Sequence, residues 1–263
     1  MAWGALMRAW LFRLAAIAAV MVPVVQIPAL VWARETFLAL NPAYLLDPPT
    51  ISRAISDPRV GEPFGSLILV ITLLLCFAVP FILVSYWQSA SNLHHSSRAR
   101  WMLRLGVMAA GLSEVAALIG LNMLTTNTFS VNGDLHMLGS YIFFAAQVLA
   151  IAIGALLCRS LVNRAPDGWL MPSMQRLRFP MGMAVLALTL VYLGLFVGKD
   201  HNSLFPQYTV QLVYVQCEVL VISCFMLFLA TYGVDLWALG RPRSQTKLSR
   251  PLPEQAISSR HVE

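Results

Sequence analysis

The sequence predicts an all-α membrane protein, a polytopic bundle of six transmembrane helices with both chain termini in the cytoplasm. Of its 263 residues, 58% are apolar and 11% are charged, whereas soluble domains are about half apolar and a quarter charged. The apolar residues form six blocks that are long enough to cross about 30 Å of hydrocarbon as helices. Basic residues gather at the termini and in alternate connections between the blocks, which gives the orientation.

Each apolar block has about the twenty residues that a membrane-spanning helix requires. The first contains Pro23 and Pro28 and is longer than the apolar part of a usual signal peptide, so we interpret it as a retained, kinked helix. The fifth is short and begins at Pro180, a pattern also found in re-entrant segments, and we count it as a span. The predicted spans are residues 14–33, 64–87, 103–125, 135–157, 180–198 and 210–232.

The basic residues predict which ends of the helices face the cytoplasm. Fourteen of the 18 Lys and Arg residues lie at the termini or in the connections after the second and fourth spans. Arg178 is one of these fourteen and is placed in the connection after the fourth span. The positive-inside rule places these segments in the cytoplasm. Topology therefore accounts for the net charge of +6, and we expect no nucleic-acid partner. For the basic stretch 241–250, a purely topogenic role and attraction of anionic lipid headgroups both stay open.

We expect one membrane domain, residues 10–237, followed by a disordered basic cytoplasmic tail, residues 238–263, because the tail is rich in Pro, Ser, Arg and Gln. The longest connection, residues 34–63, is predicted to lie outside the cytoplasm. Its five prolines divide it into turns and extended pieces. An ordered cap over the bundle and a mobile linker are equally compatible with this pattern. A turn is expected at Asn132-Gly133.

Few polar side chains interrupt the spans, and a spacing of three or four residues places them on common helix faces. Glu218 lies about 12 Å below the outer end of the last span, where a charged acid costs on the order of 3 kcal/mol. It could be a neutral strut bonded to Asn122 or His136, a group lining a water-filled cavity for a lipid headgroup, or a proton relay. Glu114, near the middle of the third span, has the same alternatives.

The sequence contains no recognisable catalytic or cofactor motif. CxxC, HExxH, GxSxG, P-loop and GxGxxG patterns do not occur. A bis-histidine haem site needs histidines from two spans, and only His136 is placed in a span. None of the four cysteines falls in a connection outside the cytoplasm, where disulfides form. We therefore predict no cofactor and no metal site.

Three separated stretches make the chain resemble a known family: AISDPRVGEPFGSLI, GLNMLTTNTFSVNGDLHMLGSYIFF and VQCEVLVISCFMLFLATYGVDL. Their order and spacing are similar to those of the six-span FRAG/DRAM/SFK family, which includes damage-regulated autophagy modulators and GPI-anchor lipid-remodelling factors. Pro58-Arg59 replaces the Thr-Gly that usually follows Ile-Ser-Asp in that family. The residues that carry the likeness are Ile55, Ser56, Asp57, Glu62, Asn122, His136, Gly139, Ser140, Cys217, Glu218, Tyr232 and Asp235.

From these residues we hypothesise a polar site that faces outward beneath the capping connection. It would recognise a lipid headgroup, or organise membrane lipids or a membrane protein partner, without covalent catalysis. The predicted ligand-binding residues are Asp57, Asn122, His136, Ser140, Gln211, Tyr214 and Glu218.

Two other functions stay open at this point. One is a GPI- or phospholipid-remodelling enzyme with His136 as general base and Asp57 or Glu218 as its orienting group. The other, a proton-coupled transporter, ranks last because no persuasive internal repeat is found. The expected location is the cell membrane if the protein is bacterial, and an endomembrane or the plasma membrane if it is eukaryotic.

Overall fold

The computed structural model describes residues 2–91, 97–162, 170–199 and 205–241. Within these ranges the chain is helical, and six helices are long and apolar enough to cross a membrane. The predicted all-α bundle of six spans is confirmed. Residues 242–263 of the predicted tail lie outside the described residues, whereas its first residues complete the last helix. The cytoplasmic location of the termini stays a prediction.

The spans are longer than the apolar blocks from which they were predicted, because polar residues at both ends continue the helices. One of them, Gln207–Leu239, consists of two consecutive helices. The helices are α1 (Ala2–Leu40), α2 (Ile51–Ala54), α3 (Pro58–Ser91), α4 (Ser97–Thr126), α5 (Phe129–Val162), α6 (Pro172–Gly198), α7 (Gln207–Ala230) and α8 (Tyr232–Leu239), with a 3₁₀ helix at Pro42–Leu46.

Prolines lie inside several spans without ending them. Pro23 and Pro28 are in the interior of α1, and Pro180 is in α6, as membrane helices allow when neighbouring groups satisfy the freed backbone. The fifth span is therefore a complete helix of 27 residues. At the predicted Asn132-Gly133 turn, Asn132 interrupts α5 with a non-helical backbone, and its Oδ1 accepts a hydrogen bond from Leu135 N at 3.1 Å.

The bundle is arranged around two packed groups of helices. α1 packs against α3, α7 and α8, while α5 packs against α4 and α6. The α4–α5 contact depends on Gly120 and Gly139. A Cβ on Gly120 would lie 2.5 Å from Phe143 N, and one on Gly139 would lie 2.7 Å from Leu124 N. The two backbones thus approach so closely that any side chain at these positions would separate them.

A buried ion pair connects α6 with α8 in the half of the bundle that carries the chain termini. Arg178 and Asp235 form a salt bridge with both side chains fully buried. Arg178 also donates to Thr231 Oγ1 at 2.8 Å and lies 3.9 Å from the ring centroid of Tyr232. The assignment of Arg178 to the connection after the fourth span is thus wrong, because α6 begins at Pro172 and carries Arg178 into the bundle.

Candidate functional site

Residues 41–57, which we call the cap, fold over the end of the bundle opposite the chain termini. The 3₁₀ helix packs through Tyr44 against Phe37 of α1, with ring centroids 5.2 Å apart. The short helix α2 is capped at its N-terminus by Thr50, whose hydroxyl accepts from Arg53 N, and Ile51, Ala54 and Ile55 are buried. Apolar burial therefore holds the cap against the bundle.

Hydrogen bonds connect the cap to two spans. The backbone N–H of Ile51 donates to Glu218 Oε2 of α7 at 2.9 Å. Gln211 of α7 donates from Nε2 to Pro48 O at 3.1 Å, and Ser130 of α5 donates from Oγ to Ser56 O at 3.1 Å. Of the two interpretations left open for this connection, the structure supports the ordered cap.

Asp57 joins the cap to α3 as the N-cap of that helix. Its Oδ1 accepts from Arg59 N at 3.1 Å, and its carboxylate pairs with the Arg59 guanidinium, with 2.6 Å between Nη2 and Oδ2. Asn41 also donates to Oδ2, at 3.3 Å. The hydrogen bond from the Arg59 side chain holds the pKa of Asp57 well below its usual value. Asp57 is thus ionised and fixes the point at which the chain leaves the cap and enters α3.

A cavity of about 660 Å³ lies beneath the cap, between α5, α6 and α7. Polar side chains of α7 line it from the capped end inward, with Glu218 deepest, since α7 begins at that end. The cap and α5 add further hydroxyl groups. The polar lining residues are Asp47, Thr50, Ser52, Arg53, Ser56, Ser140, Lys199, Gln207, Gln211 and Glu218.

Aromatic rings form the rest of the cavity wall. Phe144 of α5 stacks on Tyr192 of α6 with centroids 5.3 Å apart, and Tyr192 stacks on Tyr214 of α7 at 5.4 Å. The two tyrosine hydroxyls lie 3.5 Å apart. Rings with polar tips suit a site in which one side of a ligand is apolar and the other is hydrated.

The cavity reaches the outer surface of the bundle between α5 and α6. Tyr141 and Leu193 both line the cavity, yet they are 57% and 44% exposed. Since the exposed surface of a spanning helix faces hydrocarbon, a ligand with an apolar chain could extend through this opening. We call it the side opening.

Charged groups at the cavity come from the cap, from the end of α6 and from α7. Arg53 forms a salt bridge with Asp47 at 2.8 Å, with both side chains about half exposed, so this pair contributes little to stability. The Lys199 ammonium lies 5.9 Å from the ring centroid of Tyr214. The cavity thus has cations near the cap and the Glu218 carboxyl at its inner end.

Four of the predicted site residues line the cavity: Ser140, Gln211, Tyr214 and Glu218. The other three lie elsewhere. Asp57 is the N-cap described above, and Asn122 is exposed on α4. His136 is buried, and its Nδ1 donates to Leu124 O at 2.8 Å and to Asn127 O at 3.1 Å in the α4–α5 connection.

These positions change two expectations. Glu218 is hydrogen-bonded to the Ile51 backbone, whereas the sequence suggested Asn122 or His136 as its partner. To act as the proposed general base, His136 would have to face both the cavity and Asp57. Its Nδ1 is directed at backbone carbonyls, and its ring packs on Phe129 with centroids 4.4 Å apart. His136 therefore stabilises the α4–α5 connection.

Several lining residues were not predicted from the sequence. Ser52 and Arg53 come from the cap, whose fold depends on tertiary contacts with α7. Tyr192 lies in a span in which no polar stripe was recognised, and its stacking on Phe144 and Tyr214 places it in the cavity wall. A tyrosine within an apolar span was the available signal, since its hydroxyl needs a polar neighbour.

Glu114 lies apart from this cavity. It lines an internal void of about 30 Å³ together with Gln147 of α5, Tyr86 and Tyr232. Glu114 and Gln147 therefore face each other's helices, as the strut interpretation requires.

The fold and the capped cavity define a multi-pass helical membrane protein with an amphipathic site near one end. Residues 7–239 match the family model described as the Frag1/DRAM/Sfk1/Cwh43P N-terminal domain. The chain belongs to this family, as the three sequence stretches indicated. Comparisons with curated proteins and with solved structures find no significant match.

Proposed function

We propose that this protein binds a membrane lipid without covalent catalysis, with the headgroup under the cap and an acyl chain in the side opening. The observation that carries the proposal is the combination of a polar inner lining with an opening onto the apolar surface. Its volume of about 660 Å³ falls within the range of small-molecule sites. A lipid is the ligand class that has both a polar end and a long apolar end and reaches this entrance by diffusion in the membrane.

The lining indicates how the headgroup would be held. Gln211 and Tyr214 offer a donor and a hydroxyl, and Ser52 and Ser140 offer further hydroxyls. Arg53 and Lys199 place positive charge near the cap, where a phosphate would be neutralised. The stacked rings of Tyr192 and Tyr214 would pack on the part of the lipid where the headgroup meets the acyl chain.

Obstructing the side opening tests this proposal. Leu193→Trp should lower the amount of lipid that copurifies with the protein, measured by native mass spectrometry. Leu190→Trp is the matched control, since Leu190 is on the same helix and is exposed but does not line the cavity. Equal lipid retention in the two variants, both folded, would argue against entry between α5 and α6.

Glu218→Gln separates recognition from a structural role. The amide oxygen of Gln can still accept from Ile51 N, so a contribution of the carboxyl group to binding should appear as reduced lipid retention with little change in thermal stability. Unchanged retention together with lost thermal stability would favour the strut.

A further inference from the structure

The outer surface of α1 and α8 carries a second recess, at the end of the bundle where the chain termini lie. Its volume is about 500 Å³ and its lining is almost wholly apolar. We call it the α1–α8 groove. Its lining includes the small residues Ala16, Gly233 and Ala238, and the larger Ile17, Val234 and Trp237.

The groove exists because α1 and α8 approach closely at small residues. A Cβ on Gly233 would lie 2.7 Å from Val20 Cγ2 and 3.1 Å from Ala16 O. Larger side chains border this contact and are exposed: Ile17, Val234 and Trp237. Because the outer surface of a spanning helix faces hydrocarbon, a recess with this apolar lining suits an acyl chain.

Positive charge marks one end of the groove. Arg241 lines it and lies two residues beyond the end of α8 at Leu239, four residues after Trp237. Arg13 lies beside this end. It donates from Nε to Gly240 O at 2.9 Å, and its guanidinium is 5.6 Å from the Trp237 ring. Since tryptophan is typical of the membrane interface, Arg241 lies at the level of lipid headgroups.

The charge around the groove favours an anionic headgroup over a zwitterionic one. Basic residues at this end include Arg98, Arg100 and Arg176 at the starts of α4 and α6. Among the described residues, the acid at this end is Asp235, and it is buried in its ion pair with Arg178. In the described part of the chain, this end of the bundle therefore carries basic side chains and no exposed acid, and Arg241 is the basic residue that lines the groove.

We propose that the α1–α8 groove binds a phospholipid with an anionic headgroup, its acyl chain along Ile17 and Val234 and its phosphate at Arg241. This site is separate from the cavity under the cap and lies in the opposite leaflet. It does not depend on the proposed function, because the two sites share no lining residue.

The test uses the full chain in nanodiscs made of equal amounts of phosphatidylglycerol and phosphatidylcholine, with retained lipids identified by native mass spectrometry. The wild-type protein should retain phosphatidylglycerol in preference. Arg241→Gln should lower that retention about fivefold, because the phosphate loses a charge-assisted hydrogen bond, and should leave phosphatidylcholine unchanged. Val234→Trp should also lower it by filling the groove.

Matched variants distinguish a defined site from diffuse attraction. Arg98→Gln and Arg100→Gln each remove one positive charge at the start of α4, a helix that does not line the groove. Leu190→Trp adds the same ring to another exposed position. All three variants should retain phosphatidylglycerol as the wild type does. Equal losses in Arg241→Gln, Arg98→Gln and Arg100→Gln would overturn the proposal, and so would unchanged retention in Val234→Trp. Arg241→Gln should cause the same fold loss of phosphatidylglycerol in the Leu193→Trp background, because Leu193→Trp obstructs only the capped cavity.

Discussion

The backbone N–H of Ile51 donates a 2.9 Å hydrogen bond to Glu218 Oε2, joining the cap to the deepest acid of the cavity. The two residues are 167 positions apart in the chain, and Ile51 is buried. A carboxyl group within a span is thus used to satisfy a backbone donor of the cap. The same residue lines the cavity, so the position of the cap and the chemistry of the site depend on one side chain.

The first prediction concerns this hydrogen bond. Glu218→Leu should destabilise the protein by about 1–3 kcal/mol, because the buried Ile51 N–H loses its acceptor. Glu218→Gln should cost less, since an acceptor oxygen remains. Thermal unfolding in detergent measures both. Equal destabilisation by the two substitutions would show that the hydrogen bond is not what matters at this position.

The second prediction concerns Asp57, the N-cap of α3, at which the chain leaves the cap. Asp57→Ala should cost about 0.5–2 kcal/mol, the usual effect of losing an N-cap. Asp47→Asn is the control, and its exposed pair with Arg53 should contribute about 0–1 kcal/mol. Thermal unfolding at pH 7 ranks the two variants, and a larger loss for Asp47→Asn would contradict the assignment of Asp57 as the N-cap.

The third prediction is the pH dependence of that N-cap. The pKa of Asp57 is lowered in the folded protein, mainly by the hydrogen bond from Arg59. Its stabilisation is therefore fully present above the unfolded pKa of about 4 and is lost as the pH falls through the lower folded value. The stability difference between wild type and Asp57→Asn should be constant from pH 8 to 5 and shrink below about pH 4. A difference that declines already between pH 7 and 5 would contradict this.

The fourth prediction concerns the buried pair of Arg178 and Asp235. Arg178→Met should cost about 3–5 kcal/mol, because it leaves a buried carboxylate without its partner. Arg178→Met combined with Asp235→Leu should recover much of this loss, since both charges are then removed. Stability measured for the two single variants and the double variant gives the coupling energy. Additive losses would show that the two residues are not coupled.

The fifth prediction tests the close approach of α4 and α5. Gly139→Ala should destabilise by about 1–3 kcal/mol, since its methyl group would enter the backbone of α4. Gly194→Ala is the control, because no atom lies within 4 Å of a Cβ placed there. Alanine is the better helix former, so this control should be neutral or stabilising. A neutral Gly139→Ala would contradict the contact.

The sequence predicted the six spans because hydropathy depends only on local composition. It also identified Ser140, Gln211, Tyr214 and Glu218, which share the wall of one cavity, from their depth and helical spacing. It could not show the fold of the cap, since burial of Ile51 and Ile55 and the bond to Glu218 are long-range contacts. His136 and Asp57 looked functional by residue type, yet their partners are Leu124 and Asn127 for the one and Arg59 for the other.

Determining an experimental structure in lipid nanodiscs tests the central claim most directly. The account predicts elongated non-protein density with its polar end within hydrogen-bond distance of Gln211, Tyr214 or Glu218 and its apolar end leaving between Tyr141 and Leu193. A cavity that holds only water, in a map where lipids are ordered elsewhere around the protein, would contradict it.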